Sequence, residues 1–282
     1  MTSSSDKLES LLVLMRDKDP VVWKAIAKEL LSLGEAAQDP LRRLADEDGD
    51  PLVRLRARSL LGASTEEVLN QKLVRWVAGP DPDLEVGCFL LARWAYPDLD
   101  EGHYRGILDA MAEDLRPLLS SAKGVEALHL LNHYLFHEKG FRGDHDHQTY
   151  YDPENSYVNQ VLDRRRGIPI SLSALYLLIG QKRLGLSLRG VGSPGHFLLR
   201  YEEEAKPPVF IDAFAGGELL SRVDCEAFFD ALGFPFQEDF LAPVGHREIL
   251  ARMCRNLVAI YQGQGEEEKA KRLFSWVEVL VS

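Results

Sequence analysis

The sequence has 282 residues, and its 45% apolar and 27% charged residues are typical of a globular protein. The length allows two domains, or one core domain with helical extensions. The formal net charge is −11. Because binders of nucleic acids or anionic membranes need a basic surface, this balance argues against both classes of partner.

The N-terminal residues have no basic region before their short apolar stretch, so no secretory signal is predicted. No apolar run reaches the roughly 18 residues that a membrane-spanning helix needs. The three cysteines, Cys88, Cys225 and Cys254, lie far apart and form no CxxC pair. These features predict a reduced, cytoplasmic protein.

A repeated helical pattern occupies the first hundred residues. Asp19, Asp50 and Asp81 each precede a proline and begin similar segments, spaced 31 residues apart. Asp is a common N-cap and proline is accepted in a first helical turn, so three helices are predicted. The fixed period favours an α-solenoid, and the Asp-Pro-x-Val start resembles HEAT-like repeats. The alternative is three amphipathic helices that share one kind of cap.

Helices are predicted to continue through residues 100–140, and a polar loop follows them. It is rich in groups that can bind metals: His137, Asp144, His145, Asp146, His147 and Asp152. Their spacing matches no closed metal site. We therefore expect a solvated loop and no metal or other cofactor, with a metal site over 144–152 as the alternative.

The stretch 152–212 is predicted to form two helices and then strands. Gly167-Ile168-Pro169 ends the first helix, and an almost wholly apolar helix runs from Ser171 to about Gly185, which predicts the buried core helix of its domain. The basic turn 164–166 is expected to be solvated and able to pair with nearby carboxylates, with an anion site as the alternative. Strands are predicted over 186–192, 196–201 and 209–212.

Three polar residues mark the starts or ends of these elements. Ser171 begins the core helix, His196 opens one strand and Asp212 ends the next. A hydroxyl at a helix N-terminus, an imidazole and a carboxylate can act as nucleophile, base and orienting group. The alternative for Ser171 is a plain N-cap, and for His196 and Asp212 a hydrogen-bonded pair without turnover.

The motifs that carry a family resemblance are YYDPENSYVNQVLDRRRGIPISLSALY at 150–176, GVGSPGHFLLRY at 190–201 and the strand end Ile211-Asp212. They resemble the transglutaminase-like superfamily with its papain-like fold, and within it the SirB1 family. A C-terminal helical hairpin resembles one tetratricopeptide unit. The resemblance covers roughly 120–282 and implies an α+β fold with a small antiparallel sheet. We therefore divide the chain into HEAT-like repeats at 1–98, which lie outside the resemblance, a transglutaminase-like core at 99–245 and a tetratricopeptide-like hairpin at 246–282.

The resemblance assigns the catalytic base to His196 and the orienting carboxylate to Asp212. The superfamily has cysteine as its nucleophile, and this chain has none there. Ser171 is the best substitute, while a register shift of one or two residues would place Ile170 or Pro169 at that position. We therefore predict a non-catalytic interaction or regulatory protein that binds a protein partner through its helical repeats. The alternative is a hydrolase or acyltransferase with a Ser171–His196–Asp212 triad.

Overall fold

The computed structural model describes residues 4–282, with side chains from residue 6 onward except that of Ser64. The predicted domain 1–98 and the N-terminal signal expectation thus begin outside the described residues. Contacts divide the chain into two compact units, 1–75 and 76–282. The finer division at 98/99 and 245/246 stays a prediction. Among the described helices, none is long and apolar enough to cross a membrane.

The first unit is helical. Its helices are α1 (Ser4–Leu14), α2 (Pro20–Ser32), α3 (Glu35–Glu47) and most of α4 (Pro51–Val77). Two of the predicted caps are present, since Asp19 accepts a hydrogen bond of 2.7 Å from the Val21 N–H and Asp50 one of 2.9 Å from the Leu52 N–H. Apolar faces of these helices bury a core that includes Met15, Ile26, Leu30, Leu41, Val53 and Leu60.

The third Asp-Pro pair does not start a helix in the predicted way. Helix α5 (Leu84–Ala95) has Asp83 as its N-cap, whose carboxylate accepts a hydrogen bond of 2.8 Å from the Glu85 N–H. The expectation for Asp81 was wrong because Asp83, two residues later, has the extended backbone and the reach to cap the first turn. This segment lies in the second unit.

The second unit combines helices with a small sheet. Its further helices are α6 (Glu101–Leu119), α7 (Val125–Asn132), α8 (Val158–Arg164), α9 (Pro169–Gly180), α10 (Arg222–Ala231), α11 (His246–Gly263) and α12 (Glu267–Val281). A π-helical turn (His133–Glu138) continues α7, and short 3₁₀ turns cover Pro153–Asn155 and Glu238–Leu241. The predicted α+β class, mostly helical with an antiparallel sheet, is confirmed.

Over residues 4–282, seven strands form a two-stranded pair and a five-stranded antiparallel sheet. The strands are β1 (Arg142–Gly143), β2 (Arg166–Gly167), β3 (Leu188–Val191), β4 (Leu198–Tyr201), β5 (Val209–Asp212), β6 (Glu218–Leu220) and β7 (Pro243–Val244). The larger sheet has the order β6-β5-β4-β3-β7. Its middle strands were predicted, whereas the short edge strands β6 and β7 were not.

Helix α9 is the buried centre of this unit. All twelve of its residues are buried, because their side chains are almost entirely apolar or small and neighbouring helices and strands surround them. The helix ends at Gly180, earlier than predicted. The chain then turns to Gly185, whose φ of +71° is the left-handed conformation that glycine adopts without strain.

The parallel pair β1–β2 brings the polar loop to the start of α9, with Gly143 opposite Gly167. A Cβ on Gly167 would lie 2.7 Å from Ser171 Oγ, and a Cβ on Gly143 would lie 2.6 Å from the Phe214 carbonyl oxygen. Only glycine fits these positions. The loop, the helix start and the turn after β5 therefore meet at close range.

Candidate functional site

His196 and Asp212 lie at one end of two paired strands. Strand β5 ends at Asp212, and β4 begins two residues after His196, with Leu199 opposite Ile211. The His196 Nε2 and Asp212 Oδ2 atoms are 2.9 Å apart, so the predicted hydrogen bond is present. The second carboxylate oxygen accepts the N–H of Phe214 at 2.9 Å. Asp212 is thus buried and fixed in orientation.

The His196 ring is packed but retains one unused nitrogen. Phe228 and Phe214 contact it edge-on, with ring centroids 5.1 and 6.0 Å away. In the described part of the chain, Nδ1 has no hydrogen-bond partner. A Nε2–H bond to the carboxylate would fix the tautomer and leave Nδ1 as a proton acceptor. The pair therefore has the arrangement of a general base and its orienting group.

Ser171 is fully engaged elsewhere. Its hydroxyl donates to the Asn155 carbonyl oxygen at 2.6 Å and accepts the Ile168 N–H at 3.0 Å. The side chain is 1% exposed. Over residues 4–282, no hydrogen bond joins Ser171 to His196. The structure therefore brings His196 and Asp212 together and leaves Ser171 outside the pair.

The position of Ser171 in the helix also differs from the prediction. Helix α9 begins at Pro169, with Ile168 as N-cap, so Ser171 is the third helical residue and not the cap itself. Its hydroxyl reaches back to the backbone of Ile168 and satisfies an N–H that the helix leaves unpaired. This bond stabilises the first turn of the buried helix.

A cavity of about 510 Å³ lies beside His196. Helix α9 contributes Ile168, Pro169 and Ile170 to its wall, and Ser171 is not among the residues that line it. Pro169 and Ile170, the residues that a register shift would place at the nucleophile position, thus line the same cavity as the His196 imidazole. Both are apolar and have no nucleophilic atom.

Asp144 organises the polar loop from inside. It is 2% exposed and accepts hydrogen bonds from Asn155 Nδ2 at 2.9 Å and Thr149 Oγ1 at 3.0 Å. Burial alone would raise the pKa of this carboxyl, but the hydrogen bonds from Asn155 and Thr149 outweigh it and hold the pKa below its usual value. The expectation of a fully solvated loop was wrong at Asp144, because the folded loop encloses it.

The other loop residues do not converge on a cation. In the part of the chain that the structure describes, no three His, Cys, Asp or Glu side chains are grouped as a metal site requires. His145 instead packs on Phe214, with ring centroids 4.4 Å apart.

The basic turn forms ion pairs with carboxylates of the loop, as the sequence allowed. Arg164 pairs with Asp152 at 2.9 Å and with Glu154 at 2.7 Å, and Arg166 lies 3.6 Å from Asp144. These carboxylates come from the loop that folds against α8. The side chains of the turn are partly buried by this pairing and not fully solvated.

Sequence reasoning missed the contribution of α11, which supplies Arg252, Arg255 and Asn256 to the cavity wall. Arg252 Nη2 donates to the backbone oxygens of Ser193 and, at 2.8 Å, of His196. Burial lowers the pKa of this guanidinium. Nothing in the helical periodicity distinguished these residues, because the polar face of a surface helix has the same pattern.

Replacing Ser171 with alanine should destabilise the protein by about 1–3 kcal/mol, because the Asn155 carbonyl and the Ile168 N–H lose their buried partner. Ser173 is a matched control, since its buried hydroxyl has no hydrogen-bond partner among the residues that the structure describes. Ser173→Ala should therefore change the free energy of unfolding little. Urea denaturation measures both, and equal losses in the two variants would contradict the capping role.

Asp144→Asn should remove a stabilisation that depends on pH. Because the pKa is lowered in the folded protein, the contribution is fully present above the unfolded value of about 3.9 and is lost as pH falls through the folded value. The variant should be less stable than wild type at pH 7, and the difference should shrink below about pH 4. Exposed Asp146→Asn is the control. A difference that does not vary with pH would refute the assignment.

Residues 102–255 match the family model described as the transglutaminase-like superfamily. The chain is 38% identical over 193 residues to a UPF0162 protein of Xylella fastidiosa, a match that covers 65% of this chain and 66% of that protein. It is 35% identical over 118 residues to a UPF0162 protein of Vibrio cholerae, covering 42% of this chain and 37% of that one.

It is also 34% identical over 155 residues to the human F-box only protein 21, and this match covers 52% of this chain and 24% of the human protein. The chain thus spans just under two thirds of the Xylella protein and about a quarter of the human one. No solved structure matches it significantly. The family match covers more than half of the chain and contains His196, Asp212 and the core helix, and the chain therefore belongs to the transglutaminase-like superfamily.

Proposed function

We propose that this chain is a transglutaminase-like protein that binds a protein partner and does not catalyse acyl transfer. One observation carries the proposal: the Ser171 hydroxyl is held by backbone atoms, while Ile168, Pro169 and Ile170 line the cavity that His196 shares. A base without a nucleophile beside it cannot start covalent catalysis.

The cysteines support the same conclusion. Cys88, Cys225 and Cys254 are all buried and unpaired. Burial raises the pKa of Cys88 and of Cys225 to about 12. Because the thiolate is the nucleophilic form, neither thiol is prepared to replace the missing cysteine of the superfamily. Their unpaired state also fits our placement of the protein in a reducing cytoplasm.

We further assign the chain to the SirB1 family, on its motifs at 150–176 and 190–201. The similarity to UPF0162 proteins of two bacteria fits this assignment. A similar segment makes up only 24% of the human F-box only protein 21, so it occurs in chains of quite different length. That distribution favours a binding module over an enzyme whose whole chain is needed for activity.

The partner surface that we propose is the N-terminal helical unit, interpreted as HEAT-like repeats. We interpret α11–α12 of the other unit separately, as a tetratricopeptide-like hairpin. Solenoid repeats commonly present binding surfaces. The unit exposes apolar side chains that its own core does not use: Val13, Val21 and Leu55 are 67%, 77% and 66% exposed. Such residues would be buried by a protein partner.

The alternative function is a hydrolase or acyltransferase that uses Ser171, His196 and Asp212. The retained His196–Asp212 pair, with Nδ1 unpaired, favours it. It requires the Ser171 hydroxyl to leave Asn155 and Ile168 and to enter the cavity. That movement would break two buried hydrogen bonds in the first turn of α9.

A serine-directed fluorophosphonate separates the two functions. We expect no covalent labelling of the wild-type protein, because no activated hydroxyl faces the base, and a known serine hydrolase in the same reaction verifies the probe. Labelling that is present in wild type and Ser173→Ala but absent in Ser171→Ala would overturn the non-catalytic proposal.

The partner surface is tested by a Val21→Asp and Leu55→Asp double variant. Neither side chain belongs to the buried core, so the variant should fold. Quantitative affinity purification from the native host should show a protein that wild type enriches and the double variant loses at least about tenfold, as expected when charges enter an apolar contact. The matched control is Val223→Asp, since Val223 is 68% exposed and lies in the other unit. Equal enrichment by wild type and double variant would contradict the surface.

A further inference from the structure

The cavity beside His196 has a charge that contrasts with the rest of the chain. The protein carries a formal net charge of −11, yet the cavity wall contains Arg252 and Arg255 and no aspartate or glutamate. The His196 imidazole lies in the same wall. An acidic protein thus places two cations at one concave site, which favours an anionic ligand there.

The two arginines differ in what neutralises them. Arg255 is on the rim and pairs with Glu248 at 2.8 Å. Arg252 is partly buried and, within the described residues, forms no ion pair. Its Nη2 atom donates to two backbone oxygens, of Ser193 and His196, which hold the guanidinium in place. The guanidinium therefore has a fixed position. Glu248 acts on its charge from a longer distance, without a direct ion pair within the described residues, and burying a charge without such a pair is costly.

The start of α9 adds to the positive potential of the same cavity. Ile168, Pro169 and Ile170 line it and form the cap and first two residues of a twelve-residue helix. The N-terminal end of a helix carries partial positive charge and N–H groups without intrahelical partners. A helix start and an arginine cation in one wall are a combination that favours carboxylate groups.

The remaining wall suits an extended peptide. Ile168, Ile170 and Ile260 supply aliphatic surface, and the Asn256 amide can both donate to and accept from a peptide bond. The volume of about 510 Å³ lies within the range of ligand pockets, roughly 300–1,000 Å³. A terminal aliphatic side chain and its carboxylate would fit both the apolar and the charged parts.

We propose that this cavity binds the C-terminal carboxylate of a partner polypeptide, with Arg252 as the principal contact and an aliphatic last side chain against the isoleucines. The proposal rests on the proposed function, because it names the part of a protein partner that the unused active-site cavity receives. His196 then serves as a wall of the binding site, fixed by Asp212 and by the backbone bond from Arg252.

The test uses fluorescent hexapeptide pools ending in Leu, Ile or Val, prepared with a free carboxylate and with a C-terminal amide. Anisotropy with the full wild-type chain should show binding of the free-acid pool. The amide pool should bind roughly 10- to 100-fold more weakly, as expected for loss of a charged hydrogen bond. Added salt should weaken the free-acid binding.

Arg252→Gln should reduce free-acid binding to the level of the amide pool, and Arg252→Lys should give an intermediate affinity because it keeps the charge but loses the planar guanidinium and the backbone contacts that fix it. Lys271→Gln on α12 removes an exposed positive charge outside the cavity and should have no effect. Circular dichroism checks that each variant folds, and the acid-versus-amide comparison on wild type does not depend on any variant.

Equal binding of acid and amide pools would overturn the proposal, and so would binding of octanoate without binding of either peptide pool. Absence of all peptide binding up to millimolar concentration would also overturn it. None of these outcomes produces fluorophosphonate labelling at Ser171. Failure of the carboxylate site is therefore distinguishable from failure of the non-catalytic proposal.

Discussion

The hydrogen bond from Ser171 to the backbone oxygen of Asn155 connects the start of helix α9 with the polar loop. Asn155 in turn donates to Asp144, so a buried carboxylate, an amide and a hydroxyl form one chain of contacts from the loop to α9. Each group is almost completely buried, and a buried polar group without a partner is costly. The loop fold, the start of the helix and the direction of the Ser171 hydroxyl consequently depend on one another.

In our proposal, this dependence keeps a serine near the expected position from acting as a nucleophile. To approach His196, the hydroxyl would have to give up partners worth about 1–3 kcal/mol in stability. His196 has no comparable competing contacts. Its Nε2 atom bonds to Asp212, and its Nδ1 atom has no hydrogen-bond partner among the described residues. The histidine and carboxylate thus keep the arrangement that the resemblance implies for a base and its orienting group, while the first turn of α9 is occupied by packing and capping contacts.

The class of fold and the His196–Asp212 contact could be predicted from sequence because they depend on local pattern. Alternating strand residues and a nearly uniform apolar run specify β4, β5 and α9 without knowledge of distant contacts. The hydroxyl direction could not be predicted, since one residue of helical register turns a side chain by about 100°. The same limit applies to Asp144, which looks like any solvated loop acid until the loop closes over it.

Long-range contributions to the cavity were also beyond sequence reasoning. Arg252 lies 56 residues after His196, and its bond to that backbone appears only when α11 packs against the core. The short edge strands β6 and β7 could not be predicted either, because two or three residues show too little alternation of apolar and polar side chains. The pairing of distant segments could not be predicted from the sequence, and the cavity is formed by such pairings.

The central claim is that the Ser171 hydroxyl is a structural group and not a nucleophile. A high-resolution crystal structure of the full chain tests it most directly, by locating Oγ relative to its two possible partners. We predict Oγ within about 3 Å of the Asn155 carbonyl oxygen, with the Ile168–Ile170 side chains lining the cavity beside His196. An Oγ atom within about 3.5 Å of His196 Nδ1, in a cavity open to solvent, would contradict the account.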